Sequence, residues 1–132
     1  MIKTLVWLVL LVNAGLGIGC LVDPVAMLEP IGVKPVNDAG LVELRAMYGG
    51  LEIGFALFLG WCLYKPDLLR VGLLAATLEV GTMGLVRLVT WLMLQPDGMM
   101  LPLLILAEFG GGCLGTLVLW RSRGQDSQKT SL

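Results

Sequence analysis

Residues 68–94 read LLRVGLLAATLEVGTMGLVRLVTWLML. As a helix rising 1.5 Å per residue this stretch is about 40 Å long. The hydrocarbon core of a bilayer is about 30 Å thick and needs about 20 apolar residues to cross. The run is long enough, is apolar almost throughout, and lacks the period-two alternation of a membrane β-strand. Yet it carries Glu79 and Arg87 well inside its ends. A charge at the bilayer centre costs about 2.5–3.5 kcal/mol on insertion scales, so such residues turn towards other helices and seek partners.

Three further runs resemble it. The expected helices span about 5–22, 43–64, 68–94 and 99–121. The fold expected is therefore all-α: a transmembrane, antiparallel four-helix bundle over residues 1–121, with a long outer loop between helices one and two. Residues 122–132 read as a polar, frayed cytoplasmic tail. Met1-Ile2-Lys3 and Gly17–Cys20 faintly resemble an export signal, but Gly17 stands where a lipoprotein site has leucine, so the expectation is a retained first helix.

Composition agrees with a membrane protein. The 132 residues are 57% hydrophobic and only 14% charged, with mean hydropathy +0.87. Soluble domains carry about 25% charged residues. The net charge of −1 offers no basic field for nucleic acid. No histidine is present, which removes the commonest metal ligand and general base. Cys20, Cys62 and Cys113 have no CxxC spacing and read as small buried apolar residues. Neither a metal nor a cofactor is expected.

Positive residues orient the chain. With four spans, Lys3, Lys65, Arg70, Arg121, Arg123 and Lys129 fall on one side; Lys34 and Arg45 fall on the other. This places both termini in the cytoplasm and the chain in the inner membrane. The connection from about Asp23 to Gly40 then faces outward. Pro24, Pro30 and Pro35 break it, while Val25, Met27, Leu28, Ile31 and Val33 make it too apolar for a free linker. It reads as a segment lying along the interface or as a lid over an outward-facing pocket.

Counting along each helix brings polar groups to one layer. Glu52 lies about 10 Å below Arg45, Arg87 about 10 Å from Leu94, and Glu108 about 13 Å from Met99. Asn13 in helix one falls at a similar depth. Arg45, Tyr48 and Glu52 share a helical stripe; Glu79, Met83, Arg87 and Thr90 share another. The expected site is a buried charge cluster in which Arg87 bridges Glu52 and Glu108, these three acting catalytically. Asn13, Arg45, Tyr48 and Glu79 would hold the ligand. Three acids against two arginines leave one negative charge uncompensated, raw material for acid/base chemistry.

Glycine spacing suggests close helix contacts. Gly15/Gly19, Gly50/Gly54 and Gly111/Gly115 fit small-xxx-small packing, within the bundle or in a homodimer. Gly110–Gly112 is expected to loosen helix four. Trp7, Trp61, Trp91 and Trp120 lie near helix ends and read as an interfacial belt.

The segment Leu44-Arg45-Ala46-Met47-Tyr48-Gly49-Gly50-Leu51-Glu52-Ile53-Gly54, with Arg87, Asp97-Gly98 and Glu108 after it, resembles the signature of a family of small bacterial membrane proteins, domain-of-unknown-function family 4345. That family is similar in architecture to DoxX-like four-helix proteins. The resemblance implies a fold and a motif and brings no activity.

Three functions compete. The site either binds a small lipophilic molecule, with acid/base catalysis of epoxide opening, hydration or isomerisation, or couples transport to a proton or cation through Glu79. In the third reading the charges only fix packing, and the chain is an accessory or scaffold protein. Loss of turnover in Glu52→Gln or Glu108→Gln marks the first, flux under a pH gradient the second, and a purely thermal effect the third.

Overall fold

The computed structural model describes the backbone of residues 1–129 and the side chains of residues 1–122. It is all-α, with no strand among the described residues. Helix α1 spans Ile2–Val22, α2 Pro24–Leu28, α3 Asp38–Leu44, α4 Leu51–Tyr64, α5 Leu69–Leu94 and α6 Met100–Lys129. Arg45–Gly50 joins α3 to α4 as a π-helical stretch. Four helical segments are long and apolar enough to cross a membrane: Ile2–Val22, Asp38–Tyr64, Pro66–Leu94 and Met100–Ser122.

Local chemistry sets the boundaries. Asp23 ends α1 and caps α2, its carboxylate accepting from the Ala26 N–H at 3.1 Å, with Pro24 in the first turn. A 3₁₀ turn, Glu29–Ile31, follows and stops at Gly32, whose φ of 75° suits glycine. Asn37 caps α3 by accepting from the Gly40 N–H at 2.9 Å, so the second long helical segment begins at Asp38 rather than near residue 43. Helix α5 ends where Gln95 turns left-handed at φ 45° and its N–H returns to the Trp91 carbonyl.

The connection after α1 is ordered structure. Pro24 and Leu28 are buried, and Met27 packs over Gly19. The polar residues expected to fray continue α6 as far as Lys129, and 130–132 lie outside the described residues. Helix α6 also runs unbroken through Gly110–Gly112.

The long helices pack as two pairs. α5 lies along α6, and α1 lies along α4 and the π stretch; contact between the pairs is sparser. The core consists of Val6, Leu59, Leu73, Ala76 and Val118, so each long helix contributes to it. Val6 is near the start of α1, Leu59 near the end of α4, Leu73 near the start of α5 and Val118 well along α6. This cluster thus occupies one end of the molecule, and Cys20, Leu28 and Ile105 are buried apart from it.

Glycines make both pairs close, though only some are those expected. A Cβ on Gly17 would lie 2.7 Å from Ile53 and 3.0 Å from the Gly49 carbonyl. One on Gly49 would lie 2.7 Å from Leu21. Gly112 faces Gly81, and Gly84 lies on the Glu108–Phe109 backbone, where a Cβ would stand 2.9 Å from the Glu108 carbonyl carbon. Of the predicted stripes, Gly19, Gly111 and Gly115 pack within the chain, whereas Gly15 and Gly54 face open space. Cys20 and Cys62 are buried as expected of small apolar residues; Cys113 is exposed.

Gly84→Ala should therefore separate α5 from α6, because backbone cannot yield as a side-chain end does. The expected cost is about 1–3 kcal/mol, read as a lowered thermal midpoint in detergent. Gly54→Ala, with nothing in its way, should leave the midpoint in place.

Candidate functional site

Polar residues gather towards the end opposite that core cluster. Arg87 lies one turn beyond Gly84 on α5. The close approach at Gly84 brings it to Glu108 on α6, and Arg87 Nη1 donates to Glu108 Oε1 at 2.5 Å. The two side chains keep 27% and 14% of their surface exposed. Glu108 Oε2, on the same carboxylate, is shut away without a partner.

Beside this pair is a cavity of about 190 Å³. Tyr48, Glu52, Arg87 and Glu108 all line it. Its remaining wall is apolar: Leu16 from α1, Met27 and Leu28 from α2, Pro30 and Ile31 from the turn after it, Met83 from α5, and Met100 and Leu104 from α6. Among the described residues, Glu52 makes neither an ion pair nor a side-chain hydrogen bond. A wider groove of about 530 Å³ borders the cavity and shares Tyr48, Met83 and Arg87 with it; Thr82, Val86 and Thr90 complete it.

The other sequence candidates lie elsewhere. Asn13 is 5% exposed and donates to the Val9 carbonyl at 3.0 Å. Its side chain lies within hydrogen-bonding reach of Glu79, and Glu79 also feels the Glu52 charge. Asn13 Oδ1 and Glu79 Oε2 are both shut away without partners. This Asn13–Glu79 contact does not line the cavity. Arg45 is exposed and lies outside both cavity and groove.

The buried charge cluster needs correction. Among the described residues no charged side chain is buried: Glu52, Glu79, Arg87 and Glu108 are half-buried and Arg45 is exposed. The physical reason is the packing in pairs. Glu52, Arg87 and Glu108 keep an edge open to the cavity or groove between the helix pairs, whereas Glu79 lines neither. The ion pair formed is Arg87 with Glu108, without a bridge to Glu52.

Two features escaped the sequence. The π-helical stretch Arg45–Gly50 ends two residues before Glu52 and carries Tyr48 to the cavity. Such bulges favour functional sites, and its only signal was the glycine pair Gly49-Gly50, poor α-helix formers. Trp91 also departs from its expected belt role. Trp7, Trp61 and Trp120 are exposed, whereas the Trp91 indole N–H is enclosed without a partner. Lys65 stands 5.5 Å over the rings of Trp61 and Tyr64, as suits a helix end at a membrane surface.

Removing one member of the ion pair leaves the other half-buried and uncompensated. Glu108→Ala should destabilise the protein by about 1–3 kcal/mol, with both groups' partial exposure keeping the cost below that of a buried pair. Replacing both, as Arg87→Met with Glu108→Leu, should recover most of the loss. A double-mutant cycle of unfolding midpoints in detergent measures this coupling.

No curated protein matches the chain, and no solved structure does. Residues 1–119 match the family described as "Domain of unknown function (DUF4345)". The match takes in every residue of the cavity and both helix pairs at their close approaches, and the chain belongs to that family.

Proposed function

We propose that the chain crosses the inner membrane four times as an antiparallel bundle and binds a small lipophilic molecule in the cavity beside Arg87 and Glu108. Both termini are cytoplasmic in this reading, and the long connection after α1 covers the outer mouth. The core supports the antiparallel arrangement: the start of α1, the end of α4 and the start of α5 meet at one end. Positive residues concentrate towards that same end, as a cytoplasmic face requires.

The observation that carries the functional reading is the lining of one small cavity. Four polar side chains from three helical segments open into a wall that is otherwise apolar. Ligand sites have this composition: apolar surface for affinity and a few polar groups for orientation. At about 190 Å³ the space is on the order of six water volumes. It suits the polar end of a molecule whose remainder stays in apolar surroundings.

The chemistry available is acid/base. Glu52 and Glu108 face one space with the Arg87 guanidinium, a donor only, beside them. Hydration of an epoxide would proceed with one carboxyl giving its proton to the ring oxygen as the C–O bond breaks. The other carboxyl takes a proton from the water whose oxygen bonds to carbon, so the net change is addition of water. Isomerisation uses the same two groups on one carbon skeleton. Coupled transport is the second reading, and one observation favours it: Glu79, on a membrane-crossing helix and outside the cavity, has an enclosed oxygen without a partner, as a proton-carrying carboxyl could.

Native mass spectrometry of the purified protein tests the binding. An apolar adduct is expected, retained by Asp97→Asn and lost in Arg87→Ala and Glu52→Gln variants that still fold. Retention in both cavity variants would reject the site. Cysteine-labelling of single sites at residues 36 and 66 should show the first accessible from outside and the second from the cytoplasm.

A further inference from the structure

The cavity lining carries two carboxylates, Glu52 and Glu108, against one cation, Arg87. Glu108 Oε1 accepts from Arg87 Nη1, whereas Glu52 has neither cation nor donor among the described residues. The other guanidinium N–H groups and the Tyr48 hydroxyl are the donors the lining offers. A charge without a partner away from water is costly. A ligand head that donates, a cationic one above all, gives Glu52 the partner it lacks, whereas one that only accepts leaves it unpaired.

The groove meets the cavity at Tyr48, Met83 and Arg87, and beyond them runs along Val86 and Thr90 on α5. Val86 is 65% exposed and α5 is one of the membrane-crossing helices, so this groove faces acyl chains. A molecule with its polar end in the cavity can leave its tail there without passing through water.

We infer that the site takes a single-chain amphiphile from the bilayer, its donating head, a hydroxyl or an ammonium, against Glu108 and Glu52 and its tail in the groove along Val86. The inference rests on the proposed binding cavity and narrows it. Lateral entry replaces entry from water, and a donor head replaces an ester, ether or carboxylate. Among the reactions open to the site, it favours those whose substrate or product bears a hydroxyl.

The test uses 1-decanol, decylamine, decyl methyl ether and 1-butanol as probes of the whole protein in a neutral maltoside detergent. Decanol and decylamine should bind at least about ten-fold more tightly than the ether, the equivalent of one donor to a charged acceptor. Glu108→Gln and Glu52→Gln, which put an amide donor among the acceptors, should each shrink that ratio. Val86→Trp, which fills the groove, should weaken decanol several-fold and leave butanol unchanged. Equal or tighter binding of the ether overturns the donor head while leaving the cavity as a binding site. Equal affinity for butanol and decanol overturns the groove. No binding by any probe removes this inference and the binding reading together.

Discussion

The site depends on how closely α5 and α6 approach one another. In a membrane, helices gain little from leaving lipid, because lipid is as apolar as they are; they associate where small residues let backbones touch. Gly81 meets Gly112, and one turn on Gly84 meets the backbone of Glu108 and Phe109. At that separation Arg87, the next turn of α5, has Glu108 within direct reach. A side chain at residue 84 would push the two helices apart at the level where their charges must meet. The glycines and the ion pair are therefore one device: the first brings the backbones together, and the second fixes which faces are turned inward.

The ion pair explains the shape around it. Two charges at membrane depth are tolerable when they neutralise each other, and the remaining hydrogen-bonding capacity still has to go somewhere. Among the described residues part of it goes nowhere, since Glu108 Oε2 lacks a partner and Glu52 lacks a cation. A purely structural pair would be expected to saturate its groups, because a half-satisfied network is worse than an apolar contact. Of these groups Glu52 lines the cavity, and there the ligand reading and the packing reading part.

Much of the architecture was legible in the sequence. Four apolar runs of membrane-crossing length are a coarse signal that few other features imitate, and 68–94 carried it most clearly. Arg87 and Glu108 were also legible, since counting residues from helix ends gives depth. Depth is only one of two coordinates. Rotation about each helix decides which groups share a face, and the sequence misjudged it twice. Arg45 was placed on a stripe with Tyr48 and Glu52 by assuming an α-helical period. The π-helical stretch widens the turn there, and Arg45 faces outward while Tyr48 and Glu52 still line the cavity. Asn13 was set in the cluster by depth alone; it meets Glu79 on another side of the seam. The glycine stripes held only in part for a related reason. A spacing of four identifies a small-residue face but not its neighbour, so Gly19, Gly111 and Gly115 pack within the chain as expected, Gly15 and Gly54 look outward, and Gly17, Gly49, Gly81 and Gly84 make close contacts outside the expected stripes.

Packing as two pairs gives the molecule two unlike ends. Val6, Leu59, Leu73, Ala76 and Val118 tie all four long helices together at the first. At the second, the cavity and groove lie between the α1–α4 half and the α5–α6 half. The ion pair lies within the α5–α6 half, so the charges that neutralise each other come from one pair of helices. Glu52, with Tyr48, stands across the cavity on the other half and has no cation of its own among the described residues.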